Sequence, residues 1–417
     1  MNNDGLSQRT RLQLARLGRE YMAAGQFIGR TGYAALRMKH GDGAYKDVAI
    51  ENWMYASPIY SRRMQKAMGF AGDDVPTIFK GLQLEVGFAH QYFDVHFEVD
   101  SPESGRFWLA SCGPLLETEP RGEQAVKTMC HDIEDPTFDA TAVATNPRAR
   151  IRPVHRPPRV PADRKPHCEW GVFIDHDAEP LTGLPGTQRM RQTVLANLTI
   201  ERPLSVESGG MDYYEGPVME VLQLEQLSQA ALVVVCKELA LQFHLLINSL
   251  MLSIEERYGR ASADAVAEFQ MTGSSWVISE RIGSWLGDDK QGIDRLIGIL
   301  CVHPAFQPAE YIRLNVNKTS ENTARLGFLP CPAGDELEGY GWFGLLKTGR
   351  TEGLEALVKG IDPKASLQPV AGDGLAWDIT IDASADTDEE PLAVQIAKGT
   401  VLYKTQFEDH IPLLQTV

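Results

Sequence analysis

Two stretches, HGDGAYKDVAIENWMYASPIYSRRMQKAMG at 40–69 and YGRASADAVAEFQMTGSSWVISERIGSWLG at 258–287, lie on one another without a gap. Gly41 falls on Gly259 (259 − 41 = 218). The same shift brings Val48 onto Val266, Ala49 onto Ala267, Ser57 onto Ser275, Ser61 onto Ser279, Arg63 onto Arg281 and Gly69 onto Gly287. The segments downstream of each stretch repeat too. In the first half, DVHFEVD (94–100), a turn at SPESG (101–105) and RFWLASC (106–112) lead to Asn146-Pro147, then RARIRPV (148–154) and CEWGVFID (168–175). In the second, IRLNVNK (312–318), a turn and RLGFLPC (325–331) lead to Asp362-Pro363, then KASLQPV (364–370) and AWDITID (376–382). Cys112 thereby corresponds to Cys331, Pro147 to Pro363, Val154 to Val370 and Trp170 to Trp377. A supersecondary unit met twice in this order predicts a pseudo-symmetric arrangement with like faces packed together.

Around these anchors the hydrophobic spacing changes from helical to alternating. Leu12, Leu14, Ala15, Leu17, Tyr21 and Met22 recur at three and four residues, which predicts helix over 8–40. A second helix runs from Asp47 to Met68, with Pro58 expected to kink it, and a third lies between Pro76 and Phe93. Val95, Phe97 and Val99 alternate with Asp94, His96 and Glu98 as in a half-buried strand, and RFWLASC is its hairpin partner. A short helix is expected over 122–128. The Pro- and Arg-rich PPRVPADRKP (157–166) reads as a long loop between two further strands. The fold class expected is therefore α+β, two pseudo-repeated modules, each a helical layer on an antiparallel sheet. Residues 1–175 form the first, the Gly- and Pro-rich 176–219 a linker, and 220–417 a diverged second module opened by a long helix over 220–256.

Composition narrows the partners. The chain has 417 residues, 43% hydrophobic and 23% charged, enough to bury a large core. A net charge of −16 repels phosphate backbones and anionic lipid, so neither nucleic acid nor membrane is an expected partner. The most apolar stretch, Ala230–Leu252, carries Lys237, Glu238, Gln242, His244 and Asn248, which fits a buried helix better than a membrane span. His244 there is expected to be a satisfied core histidine. The N-terminal MNNDGLSQRTRLQLARLGREYM holds no apolar run of signal-peptide length, and six cysteines without an export signal suit a reducing compartment. Cytoplasm is the expected location. SADTDEE (384–390) reads as a solvated acidic loop. No glycine loop in strand–helix context and no Gly-x-Ser-x-Gly elbow is present.

The two halves differ most where the first carries Cys130-His131, His155 and Cys168 and the second has Phe343-Gly344, Ala371 and Ala376 nearby. Residues lost together point to a site in the first half only. Its candidates are Cys112, Cys130, His131, Asp132, Glu134, His155 and Cys168. Two chemistries fit these types. Cys112, Cys130 and Cys168 with His131 or His155 could hold zinc, although no short-range zinc signature is present. Alternatively, one cysteine is a nucleophile with a histidine base oriented by Asp132 or Glu134. The acidic HDIEDP after Cys130 works against a thiolate there and favours metal. The plain alternative is that each cysteine is a small buried hydrophobe.

The pieces FWLASCGPL (107–115), CHDIEDPTFDATAVATNPRARI (130–151) and HCEW (167–170) resemble the L-2-amino-thiazoline-4-carboxylic acid hydrolase-like family and, more distantly, 4-vinyl reductase-type ligand-binding domains. The resemblance spans residues 20–175. It implies a small-molecule pocket roofed by helices over an antiparallel sheet, and hydrolytic C–N cleavage or ring opening of a small cyclic substrate. In the ligand-binding relatives the equivalent cysteines hold zinc, which would assign Cys130 and Cys168 here. The PPRVPADRKP insertion and Lys165-Pro166-His167 before the last cysteine depart from the pattern. The expected function is a hydrolase-like enzyme, with His131, Asp132 and His155 catalytic and Cys112, Cys130 and Cys168 metal-binding. The rivals are a non-catalytic small-molecule binder, and a scaffold or homo-oligomer using helix 220–256 as an interface.

Overall fold

The computed structural model describes residues 5–286, 290–372 and 375–405. Gly287 and most of the 372–374 turn therefore lie outside the described residues. The first module runs α1 (Arg11–Ala67), α2 (Val75–Gln83), α3 (His90–Phe93), β1 (Val95–Ser101), β2 (Ser104–Leu109), α4 (Gly113–Thr118), α5 (Glu123–Lys127), a π-helical turn (Thr128–Ile133), α6 (Glu134–Val143), β3 (Ala149–His155) and β4 (Cys168–Ile174). Short helices α7 (Pro185–Met190) and α8 (Val194–Asn197) come next. The second module runs α9 (Gln229–Tyr258), α10 (Arg260–Trp285), α11 (Gly292–Leu300), β5 (Leu314–Lys318), β6 (Thr323–Phe328), α12 (Trp342–Lys347), α13 (Glu352–Ile361), β7 (Ala365–Pro369) and β8 (Ala376–Ile381), then α14 (Leu392–Lys398) and α15 (Val401–Lys404). The fold is α+β, with two four-stranded antiparallel sheets of the same order, β1-β2-β4-β3 and β5-β6-β8-β7.

The repeat holds in side-chain register. Trp170 faces Phe107 and Pro153 across the first sheet, and Trp377 faces Leu326 and Pro369 across the second. That register makes Leu375, not Ala376, the counterpart of Cys168.

The helices interlock at the shift seen in the sequence. Gly41 (φ 82, ψ 177) divides α1, and Gly259 (φ 80, ψ 162) separates α9 from α10. At that break the His40 ring stacks on Tyr258, 4.0 Å between centroids. The first helical arm of each module packs on the second arm of the other. Thr31 Oγ1 donates to the Gln270 carbonyl (3.0 Å), and Ser249 Oγ donates to that of Asn52 (2.9 Å). Arg63 pairs with Glu238 and Arg281 with Glu20, both at 2.8 Å and both largely buried. Each of these matched pairs differs by 218 in number at both ends. One continuous apolar core results.

Several elements differ from expectation. Pro58 sits inside an unbroken helix: the Met54 carbonyl that its missing N–H would have served accepts instead from Thr187 Oγ1 (2.9 Å). The helix expected between Pro76 and Phe93 ends at Gln83, capped at Leu84, and Gly87 at φ +90 turns the chain before α3. The long helix begins at Gln229 rather than 220, where Ser228 caps it by accepting from the Ala231 N–H. Residues 176–219 form a packed strap rather than a loose linker: Lys80 Nζ donates to the Tyr214 and Gly216 carbonyls, and Arg63 to those of Ala196 and Leu198. Helix α9 alone among the described residues is long and apolar enough to cross a membrane, and its apolar window is wholly buried inside the protein. Within it His244 is buried and hydrogen-bonded to the Gln307 carbonyl, 2.9 Å.

Candidate active site

Between both arms of α1, the α2–α3 turn and α6 lies a cavity of about 140 Å³. Its walls are aromatic: Tyr33, Tyr45, Trp53, Phe88, Phe93 and Phe138. The ionisable acid and base groups lining it are Arg30, Glu85 and Glu134, with Gln26, Thr137 and Thr141 beside them. Glycines make the space. Gly25 approaches the Gly87 backbone so closely that a Cβ would stand 2.5 Å from its nitrogen. At the positions related by 218, the second module has Phe243 for Gly25, Ile247 for Gly29 and Met251 for Tyr33, all buried.

The two carboxyl groups are held differently. Glu85 accepts from Tyr60 Oη at 2.6 Å, and its other oxygen has no partner. Glu134 stands at the start of α6, right after the π-helical turn, and its side chain accepts no hydrogen bond from another described residue. Burial pushes each up to about 8, the Tyr60 bond opposing this for Glu85 and the nearby Arg156 for Glu134. Arg30 is fixed by Glu117 (2.8 Å) and by Tyr92 Oη (3.0 Å).

The three cysteines gather beside Glu134. Cys112 caps α4, Cys130 lies in the π-helical turn and Cys168 opens β4, all buried. Burial pushes the Cys112 and Cys130 thiols far up and Cys168 up to about 12, with Glu134 adding to each, so all three are protonated near neutral pH. Among the described residues no three His, Cys, Asp or Glu side chains are placed to hold a metal ion.

The histidines face elsewhere. His131 is hydrogen-bonded to the Pro157 carbonyl (2.7 Å) and His155 to that of Pro166 (3.0 Å), so the pair clamps the two ends of the 157–166 loop. His155 pairs with Glu169 in the sheet, and alternation along β4 puts Cys168 on the other face. Asp132 is exposed. The structure thus gathers Cys112, Cys130, Cys168 and Glu134, and sets His131, Asp132 and His155 apart from them. Arg30, Glu85 and the aromatic walls escaped the sequence reading. The signal that could have found them was the small–large exchange between Gly25 and Phe243 and between Gly29 and Ile247.

No protein-family model, no curated protein and no solved structure matches this chain.

Proposed function

We propose that the first module is a hydrolase-like enzyme acting on a small, ring-containing metabolite held between the aromatic walls. The observation that carries this reading is Glu134: a carboxyl that lines the pocket together with Arg30 and Glu85, its pKa pushed up to about 8 by desolvation. Such a group matches a general acid at neutral pH. In C–N hydrolysis it gives its proton to the departing nitrogen as water oxygen bonds to the carbon. The carboxylate so formed takes back the proton that the water sheds. Glu85, tied to Tyr60, is the second neutral acid and orients the substrate by hydrogen bonding. The family resemblance of 107–115, 130–151 and 167–170 supports the same reaction class, and a cytoplasmic setting suits the six free thiols.

The test is turnover of a panel of cyclic amides and amidines, monitored by NMR. Glu134→Gln is expected to lower the rate about 100-fold or more while leaving the circular dichroism spectrum unchanged. Hydrolysis by the variant at the parent's rate, or none by the parent on any member, sinks the reading.

A further inference from the structure

A second cavity of about 180 Å³ adjoins the aromatic pocket, sharing Arg30, Tyr33, Tyr45 and Met129 with it. This second cavity is lined by Arg30, Arg37, Arg121 and Glu117, and by Ile396 and Thr400 of the second module. Arg30 and Arg37 lie on one face of α1, two turns apart. The positions related by 218 hold Asn248 and Glu255, so the cationic face belongs to the first module alone.

The carboxylates nearby are already engaged. Glu117 Oε2 pairs with Arg30 at 2.8 Å, while Glu117 Oε1 accepts from the Val401 N–H, also 2.8 Å, which ties the C-terminal helices to the cavity wall. Asp42 is exposed and lies 3.0 Å from Arg37 and 3.9 Å from Arg121. Arg37 lies over the Tyr45 ring at 3.8 Å, which holds its guanidinium at the cavity wall. Burial lowers the Arg37 pKa, Tyr45 and Asp42 opposing this and the charges of Arg121 and Arg30 adding to it. In a chain of net charge −16, three arginines line a cavity next to the pocket that Glu134 lines.

We propose that this adjoining cavity is an oxyanion subsite: it holds the carboxylate or phosphate of the pocket's ligand among Arg30, Arg37 and Arg121, while the ring lies against Tyr33 and Tyr45, which line both cavities. The second module completes the site by supplying Ile396, Thr400 and the Val401 N–H that steadies Glu117. The inference rests on the reading that the pocket holds a small ring-bearing molecule, and not on the reaction assigned to Glu134.

The experiment is calorimetric titration of the full-length protein with phenyl phosphate, phenylacetate and neutral phenylacetamide. Parent, Arg37→Gln, Arg121→Gln, the double variant and Glu134→Gln are compared, with melting curves as the check on folding. An acid is expected to bind at least about tenfold tighter than the amide, and each arginine variant to weaken acid binding by about tenfold without touching the amide. Added salt weakens the acids selectively. Whichever acid binds tighter names the ligand class. Arg121 is exposed, so its variant reads the subsite even where Arg37→Gln disturbs the fold. Equal affinity for acid and amide, full acid affinity in the double variant, or no binding of either acid at millimolar concentration overturns the proposal. If Glu134→Gln keeps both turnover and acid binding while the arginine variants lose binding, the catalytic assignment falls and the subsite stands.

Discussion

Desolvation disfavours the charged form of a carboxylic acid. Glu85 and Glu134 both line the aromatic pocket with raised pKa values, and this leaves a signature on stability. Their folded pKa values, about 8, lie above the ordinary 4.5, so the folded protein holds protons that the unfolded chain has released. Their contribution is full below about pH 4.5 and is lost as pH rises through 8, at roughly 1.4 kcal/mol per pH unit for each group in that window. Denaturant titrations at pH 5, 6.5 and 8 are expected to show falling stability, with a flatter profile in Glu134→Gln. A parent profile flat across that range contradicts the buried neutral acids. The cysteines illustrate the opposite lesson at the same scale. Their residue type allowed metal or nucleophile, and burial beside Glu134 keeps them as thiols.

At the scale of elements, two glycines turn the helical layers. Gly41 and Gly259 adopt φ 82 and φ 80 in extended ψ, a region that L side chains enter only with strain. A Cβ at either meets nothing within 4 Å, so substitution tests conformation without crowding. Gly41→Ala and Gly259→Ala are each expected to cost about 1–3 kcal/mol, by similar amounts, in chemical denaturation. A neutral effect at one and a large effect at the other would contradict their equivalence. The sequence marked both glycines through the shift of 218 but not their role; Pro58 looked like the stronger breaker. Proline was disarmed from outside the helix, by Thr187 on a strap that sequence spacing describes only as a linker. Gly87 worked the other way, turning the chain inside a periodic pattern that reads as one helix.

At the scale of the whole molecule, the halves are not separable cores. Glu20, Thr31, Asn52 and Arg63 on α1 all find their partners on α9 or α10. Removing one member of a buried ion pair costs about 3–5 kcal/mol, and a fragment ending at residue 219 loses both pairs together with the apolar face that covers them. Residues 1–219 expressed alone are expected to be insoluble or unfolded by circular dichroism, and to become soluble when 220–417 is co-expressed. A monomeric fragment with a cooperative melt would show that the first module carries its own core.

The α+β class, the repeated strand order and the difference in residue type between the halves are all legible in the sequence. These come from local rules: the period of apolar residues, the turn residues, and identities at a constant shift. It also placed Glu134 and the three cysteines in one neighbourhood, because they lie on consecutive segments that a hairpin and a short helix bring together. Only the tertiary structure decided that Arg30, Tyr33 and Trp53 on α1 face Glu85 and Glu134, since these residues are far apart in number and no spacing rule links them. It likewise turned His131 and His155 to the 157–166 loop, because backbone carbonyls there lay within hydrogen-bond reach. The pocket itself is a difference of volume, glycine against phenylalanine, and volume acquires a place only when the chain is packed.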